Sequence, residues 1–457
     1  MRNVEFGMRS TVLTRLALCA QRINKEIILE KTIVDVLEER GFIEQITDTG
    51  LREAAAKETL KCYVGFDPTA RSLHLGHVIP VMGLAHFQRM GHVPIVLIGG
   101  GTGMIGDPSG KTAERQLLSK EDVEENARRL QVQLSKFFSF EGPHGALMLN
   151  NADWLLPLKL VDFLRDIGKH FSVNAMVAKE SVRWRLEERG QGISFTEFTY
   201  MLLQAYDFFH LYEHQGCSVQ AGGKDQWGNI TAGIDLIRRM SGGSAHGITF
   251  PLLTTATGVK VGKTEGAEGG DMIWLDPRLT SPYRMYQYWV NTDDRDVIKF
   301  LKLFTFLALK RIEELEKTLK QDPGKREPHR TLAFEFTKLV HGEKAARAVR
   351  EASEILFGSE VQEVSQEVFD ALAAEVSTTK VSKELLNEGI SLVDIFIEAK
   401  LAKSKRAARD LISQGGAYVN NVAWREIEAR VSLNQVLSGR AILLRSGKKT
   451  YHLLMVE

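Results

Sequence analysis

Residues 61–66 form a short, largely apolar run that passes almost directly into Pro68-Thr69-Ala70-Arg71-Ser72-Leu73-His74-Leu75-Gly76-His77, where a helix begins. A buried strand, a tight turn and a helix in succession open a nucleotide-binding α/β unit. A second apolar run at 93–98 leads into Gly99-Gly100-Gly101-Thr102-Gly103. An amphipathic helix is predicted at 120–138 and a further strand near 146–150, with a helix around 32–41 ahead of them all. Strands alternating with helices predict a parallel sheet and exclude an all-α or all-β architecture for this half of the chain.

His74 and His77, three apart, share one side of a helix, and Gly76 between them leaves room for a ligand. Both imidazoles can then donate to one polyanion lying across the helix N-terminus, a geometry that suits a triphosphate. A helical zinc site would use His at i and i+4 with a Glu between, or nearby cysteines, and neither is present. Taken alone, the motif is more simply two ordinary polar residues at a helix start, and it is the rest of the chain that points elsewhere.

At 457 residues the chain exceeds what one hydrophobic core serves, so two or three domains are expected. Hydrophobic residues make up 44% and charged residues 26%, the composition of a soluble globular protein. A formal net charge of +1 excludes a uniformly basic nucleic-acid coat but permits a local basic face. Cys19, Cys62 and Cys217 are too few and too scattered for a disulfide framework, which points to a reducing interior. No apolar run reaches the length of a membrane span, so no membrane partner is expected. Residues 1–31 carry Arg2, Arg9, Arg15 and Arg22 with few acids, a pattern shared by organellar transit peptides and ordinary leading helices, and Met8 is an alternative start. A cytoplasmic location is expected, organellar if that extension is a transit peptide.

Two motifs imitate other nucleotide sites. Gly101-x-Gly103-x-x-Gly106 matches the dinucleotide fingerprint and follows a strand, but it leads into Asp107-Pro108-Ser109-Gly110-Lys111, a turn, where a helix is required. Gly110-Lys111-Thr112 resembles the end of a P-loop, yet Ile105 stands where its first glycine belongs. Both fail on context.

From about residue 281, apolar residues fall at helical spacing through 297–309, 332–340 and 345–356, with a loop at 321–330. Residues 358–379 are acidic and weakly patterned, which predicts a linker. A helix pair is predicted at 391–411, carrying Lys400, Lys403, Lys405, Arg406 and Arg409, followed by short strands at 417–420 and 441–445. Such a basic face suits phosphate backbone rather than base edges, although a solvated helix has the same composition.

Lys260-Val261-Gly262-Lys263-Thr264 follows a strand expected at 248–254. Two lysines three apart around a glycine form a mobile cation clamp, as a reaction expelling pyrophosphate requires. The His-x-Gly-His helix and this loop, in this order, resemble the paired signatures of class I aminoacyl-tRNA synthetases, the loop resembling their Lys-Met-Ser-Lys-Ser motif. Residues 63–69 (YVGFDPT), 106–111 (GDPSGK), 200–207 (YMLLQAYD) and 222–229 (GGKDQWGN) closely resemble the bacterial-type tyrosyl-tRNA synthetases, a similarity covering nearly everything from about residue 35. Residues 392–394, 402–409 and 416–420 resemble an S4-type RNA-binding domain.

The resemblance implies an α/β architecture. A Rossmann-like parallel-sheet catalytic domain (32–250) would follow the N-terminal extension (1–31). After it would come the lysine loop and connection (251–280), a helical anticodon-binding domain (281–357), a linker (358–390) and a small α+β S4-type domain (391–457). By the same resemblance Tyr63 and Asp207 hydrogen-bond a substrate phenol, Asp107, Tyr200 and Gln204 hold its α-ammonium group, and Gln220 and Gln226 position its carboxylate. Gly65, Asp67, Gly76, His77, Gly223 and Asp225 would bind adenosine and ribose, the glycines allowing close backbone approach. Thr69, His74, Lys260, Lys263 and Thr264 would grip the β- and γ-phosphates, and Lys111 and Arg115 would add charge for pyrophosphate or the tRNA acceptor end. Lys403, Lys405, Arg406 and Arg409 would bind RNA.

The implied reaction is in-line attack of the tyrosine carboxylate on the α-phosphorus of ATP, then transfer of tyrosine to the 3′ end of tRNA(Tyr). ATP enters as a substrate with Mg²⁺, without a tightly bound cofactor or a protein metal site. Partners are L-tyrosine, ATP, tRNA(Tyr) and a second copy of the chain, the last through an apolar stretch at 154–176. Val64 stands where cysteine is frequent, Lys224 where serine is frequent, and Thr264 where serine ends the loop, although it keeps the hydroxyl. Pro80 is expected in the first helical turns, where little is lost. The alternatives are a tryptophanyl-tRNA synthetase, an RNA-binding protein on a synthetase scaffold, and an NAD-dependent enzyme.

Overall fold

The computed structural model describes residues 31–109, 118–179, 182–183, 193–262, 272–361, 363–448 and 450–457. The chain divides into two compact units, one of residues 1–66, 83–117 and 140–251, the other of 67–82, 118–139 and 252–457.

The first unit is built on six strands: β1 (Gln45–Ile46), β2 (Lys61–Phe66), β3 (Val93–Ile98), β4 (Leu147–Asn150), β5 (Val219–Gly223) and β6 (His246–Phe250). Their order is β1-β6-β5-β2-β3-β4, with β1 antiparallel at one edge and the other five parallel. The parallel sheet expected from the sequence is therefore present, with a two-residue antiparallel edge added. All six residues of β3 are buried, as a strand covered on both faces requires. Gly83 lets the helix Leu75–Arg89 come close to Phe250, where a Cβ would lie 2.5 Å from the ring. Phe208 and Leu211 of the helix Phe195–Gln215 pack with Tyr63, Ile95 and Leu97 of β2 and β3.

That helix starts where its sequence says it should. Ser194 and Glu197 form a reciprocal capping box, and Gly216 ends the helix with φ +65°. The helix Trp227–Ser241 packs beside it through Gly233, whose missing Cβ makes way for Phe208. The chain runs from β2 outward to β4 and returns to the other side of β2 for β5, so the strand order reverses between β2 and β5. In open α/β sheets a ligand crevice lies outside the carboxyl ends of the strands at that switch point. Gly65-Phe66 and Gly222-Gly223 occupy those ends.

The second unit contains the helices Pro282–Val290, Asp294–Phe304, Leu309–Gln321, Glu327–His341 and Glu343–Leu356. Trp289 is their centre, fully buried against Phe300, Phe304 and Phe336 with ring centroids 4.8–5.8 Å apart. Toward the C-terminus lie β7 (Ser377–Val381), β8 (Ile390–Ser391), β9 (Ala417–Val419), β10 (Val422–Trp424), β11 (Arg430–Val431), β12 (Ala441–Ser446) and β13 (Thr450–Val456). Five of them form a sheet ordered β10-β9-β12-β13-β7. Alternate residues of β12 serve two cores. Ile442 and Leu444 pack with Phe396, Ala408 and Ile412; Leu443 packs with Ala352, Ile355, Phe369 and Leu372.

Four expectations are corrected. The segment 358–390, expected as a linker, carries the helix Gln366–Ala373, β7 and the helix Lys383–Glu388. Val361, Val364, Val368, Phe369 and Leu372 are buried there; their helical spacing is diluted by the acids between them, which hid the pattern. Residues 67–82 and 118–139, expected within one catalytic domain spanning 32–250, belong to the second unit. The strand expected at 248–254 ends at Phe250, because Pro251 has no N–H to continue a ladder. Pro80 is the sixth residue of its helix, so it removes the bond its amide would have made to the Gly76 carbonyl.

Candidate active site

In the first unit the polar side chains expected to recognise a phenol converge on a buried cluster. Tyr63, on β2, is 1% exposed, its ring is 5.3 Å from that of Phe208, and its hydroxyl has no hydrogen-bond partner among the described residues. Burial, with a smaller push from Asp207, holds its phenol well above the ordinary value, so it remains a neutral O–H. Asp207, 2% exposed, accepts from Asn151 Nδ2 at 2.8 Å and from Trp154 Nε1 at 2.7 Å. Asn151 also donates to Thr102 Oγ1 at 2.9 Å and accepts from the Gly101 amide at 2.8 Å. Every polar atom of that amide is committed, so the Asp207 carboxylate is held in one orientation.

The same bonds explain the false dinucleotide motif. The amide of Gly101 is taken by Asn151, that of Gly103 by the Gly99 carbonyl and that of Gly106 by the Thr102 carbonyl. A fingerprint loop must point such amides at a phosphate. Among the described residues, a 3₁₀ turn, Thr102–Met104, stands where the fingerprint requires a helix.

A second polar cluster joins Asp107, Gln204, Gln226 and Asn229. Asp107 accepts from Gln226 Nε2 at 2.6 Å and from the Ser109 amide at 2.9 Å. Asn229 Nδ2 donates to Gln204 Oε1 at 3.0 Å and to Gln226 Oε1 at 3.2 Å. Tyr200 is buried one helical turn before Gln204. Gln220, on β5, is 2% exposed and its Oε1 has no partner among the described residues. Gly65 and Gly223 stand at the ends of β2 and β5, with Asp225 exposed in the following turn. Lys224 Nζ reaches Glu44 Oε1 at 2.5 Å, which turns it toward the β1 edge.

In the second unit the histidine pair is close but not wholly helical. The helix begins at Leu75, so His74 precedes it, in a bridge with Trp274. The His74 and His77 rings are 3.9 Å apart between centroids. Each uses Nδ1 as an acceptor, His74 from the Gly76 amide at 3.1 Å and His77 from the His74 amide at 3.2 Å. An imidazole that accepts at Nδ1 carries its proton on Nε2, leaving that nitrogen as the donor. Nearby, the Thr69 amide donates to the Asp67 carbonyl at 2.8 Å, and Asn126 Nδ2 secures the Pro68 carbonyl at 3.1 Å.

The loop bearing Lys260 lies beside this pair. Gly262 has φ +91°, and a Cβ there would lie 2.9 Å from Leu75 Cβ and 3.6 Å from the Gly76 amide. Backbone bonds continue the link: Ile273 donates to the Gly262 carbonyl at 2.8 Å, and Leu75 donates to the Ile273 carbonyl at 3.1 Å. Lys260 is exposed and bridges Thr254 across a hairpin. Lys111, Arg115, Lys263 and Thr264 lie outside the described residues. Lys403, Lys405, Arg406 and Arg409 are exposed on or just before the helix Lys405–Ser413, with Lys405 paired to Asp394 at 2.9 Å.

Sequence reasoning assigned no role at this site to Asn151 or Asn229, and placed Trp154 only at the start of an apolar dimer stretch. The available signal was position. Asn151 directly follows β4, where a parallel strand delivers side chains to the site, and Asn229 opens a helix one turn after Gln226.

Residues 55–358 match the family model described as tRNA synthetases class I (W and Y), and residues 368–454 match that of the tyrosine–tRNA ligase SYY-like C-terminal domain. The chain is 51% identical over 425 residues to a tyrosine–tRNA ligase of Roseiflexus castenholzii, covering 93% of this chain and 99% of that protein. It is 49% identical over 442 residues to that of Desulfatibacillum aliphaticivorans, covering 94% and 100%. Among solved structures, a C-terminally truncated mitochondrial tyrosyl-tRNA synthetase of Aspergillus nidulans superposes with a TM-score of 0.66 at 33% identity, covering 75% of this chain and 99% of that one. With the parallel sheet and the paired histidine and lysine elements, these similarities show that the chain belongs to the class I tRNA synthetases, in the tyrosine–tRNA ligase family.

Proposed function

We infer that this chain activates L-tyrosine with ATP, giving tyrosyl-adenylate and pyrophosphate, and then transfers tyrosine to the 3′ end of tRNA(Tyr). The observation that carries the choice of amino acid is the Tyr63–Asp207 pair: a buried hydroxyl without a partner among the described residues, beside a buried carboxylate that accepts from Asn151 and Trp154. A phenol supplies the missing partner, donating to Asp207 and accepting from Tyr63. Phenylalanine offers neither bond, the reason a site built for a hydroxyl rejects its absence; tyrosyl-tRNA synthetases are themselves the standard example of this. The indole of tryptophan has its one donor elsewhere, and the C-terminal match also favours tyrosine.

Asp107, Tyr200 and Gln204 are assigned to the α-ammonium group, and Gln220 and Gln226 to the carboxylate. Gln220 Oε1 is buried without a partner among the described residues; toward a carboxylate only its amide nitrogen can donate. Gly65, Asp67, Gly76, His77, Gly223 and Asp225 are assigned to adenosine. Thr69, His74, Lys260, Lys263 and Thr264 stabilise charge building on the departing diphosphate, with Lys111 and Arg115 adding to it. No side chain need act as base, because the attacking carboxylate is already ionised. Mg²⁺ arrives with ATP as part of the substrate.

Residues 403–409 are assigned to the tRNA backbone. The apolar residues Leu156, Leu160, Val161, Leu164 and Val173 are half to three-quarters exposed on the first unit, and we assign them to a homodimer interface. A location in the cytoplasm follows the same reading; residues 1–30, on which an organellar address would rest, lie outside the described residues.

The deciding experiment is ATP–pyrophosphate exchange with Tyr63→Phe. Loss of one bond to the substrate lowers kcat/KM for tyrosine about tenfold and leaves the trace activity with phenylalanine unchanged. Equal losses with both amino acids contradict phenol recognition at this pair.

A further inference from the structure

The lysine loop is anchored at two points by the helical part of its own unit. Residues 253–261 form a hairpin closed by bonds from the Val261 amide to the Leu253 carbonyl at 3.1 Å and from the Thr255 amide to the Val259 carbonyl at 2.7 Å. At its turn, the Ala256 amide donates to Asp296 Oδ2 at 2.6 Å. At its far end, the Gly262 amide donates to Tyr288 Oη at 2.9 Å. Asp296 is 6% exposed in the first turn of the helix Asp294–Phe304, and Tyr288 sits on the helix Pro282–Val290 with its ring 5.1 Å from Trp289. Both supports therefore stand on the aromatic core around Trp289.

Between the anchors is a cavity of about 540 Å³, lined by Thr255, Val259, Ile273, Tyr288, Asp296 and Phe300 among others. Leu253 and Val261 of the hairpin are buried, while its turn and far end are held by these two side-chain bonds and by the pairing of Gly262 with Ile273.

We propose that Tyr288 and Asp296 are positioning residues for adenylate formation: they fix the turn and the far end of the hairpin that carries Lys260, beside the histidine pair. Neither touches substrate. Tyr288 acts through the Gly262 amide, where φ +91° and the close approach to Leu75 leave little tolerance for displacement. Asp296 acts through the turn at Ala256. The proposal rests on the role given above to the loop lysines in handling the diphosphate.

The test is pre-steady-state adenylate formation and ATP–pyrophosphate exchange in the full chain with Tyr288→Phe, Asp296→Ala and Asp296→Asn. Tyr288→Phe keeps the ring and removes the hydroxyl that accepts from the Gly262 amide, so kcat is expected to fall five- to twentyfold with KM for tyrosine unchanged and the melting temperature nearly so. Asp296→Ala is expected to fall similarly, and Asp296→Asn, which retains an acceptor oxygen, to recover most of the loss. In a Lys263→Ala background, already slow, Tyr288→Phe is expected to add less than a further twofold. Unchanged kcat in Tyr288→Phe overturns the proposal, as does a full further loss in the Lys263→Ala background, which would place its effect outside the loop. Wild-type exchange by Lys263→Ala alone refutes the underlying reading of the lysines instead, so the two failures are distinguishable.

Discussion

At the scale of residues, the phenol pocket depends on holding one carboxylate in one orientation until substrate arrives. Trp154 and Asn151 do this for Asp207. Trp154→Phe preserves the apolar body and deletes one donor. Losing a hydrogen bond to a buried charged group costs about 1–3 kcal/mol, so kcat/KM for tyrosine is expected to drop roughly tenfold to a hundredfold, while KM for ATP holds. Exchange kinetics with the two substrates varied in turn check this. Of the residues singled out because they match the family's motifs, Tyr63 and Asp207 are buried together, and Gln204 and Gln226 are half-buried in the second polar cluster of the first unit. Their supporting amides were not legible, because an asparagine after a strand looks like any turn residue until the neighbouring backbone is seen.

At the scale of elements, the sequence was most informative where a period or a cap was clean. β2 and β3, the Ser194 capping box and the Gly216 stop all follow local rules. It was least informative at 358–390, where buried apolar residues alternate with acids and where β7 exists only by parallel pairing with β13, about seventy-five residues away. No local pattern encodes a partner that distant. Gly262 gives an element-level prediction. Alanine there must adopt φ +91° and place its Cβ 2.9 Å from Leu75 Cβ. Strain of about 1–3 kcal/mol is expected to appear as displacement of the hairpin. Gly262→Ala should reduce pyrophosphate exchange tenfold or more with little change in melting temperature, and normal exchange would show that the hairpin tolerates the shift.

At the scale of the whole molecule, buried imidazoles tie stability to pH. Burial, helped by Arg40 and Arg89, lowers His86 from 6.5 to about 3. The folded state thus prefers neutral His86. Its contribution is complete above pH 6.5 and is lost as the pH falls from 6.5 toward 3, because the unfolded chain takes up the proton first. Between pH 7 and 5 this one group removes about 2 kcal/mol. Denaturant midpoints at the two pH values should show the loss, and His86→Gln should flatten it.

The sheet near the C-terminus imposes a limit on truncation. Leu443, Tyr451 and Leu453 share a core with the helix Glu343–Leu356, so removal of 391–457 would expose that core as well as delete the basic helix. Replacing Lys403, Lys405, Arg406 and Arg409 by alanine is the cleaner test. Adenylate formation should be unaffected, while aminoacylation weakens and its dependence on salt becomes shallower, in proportion to the number of tRNA phosphates these side chains neutralise. The exposed apolar face makes a separate prediction: Leu160→Lys with Val161→Lys should shift the mass measured by light scattering from dimer to monomer.

The most direct measurement is ATP–pyrophosphate exchange by the purified full chain with each of the twenty amino acids supplied alone. Tyrosine is predicted to support exchange at least a thousandfold above phenylalanine and tryptophan, on the order of what two unpaired buried polar groups impose. Exchange driven by tryptophan, or by no amino acid at all, would contradict the account.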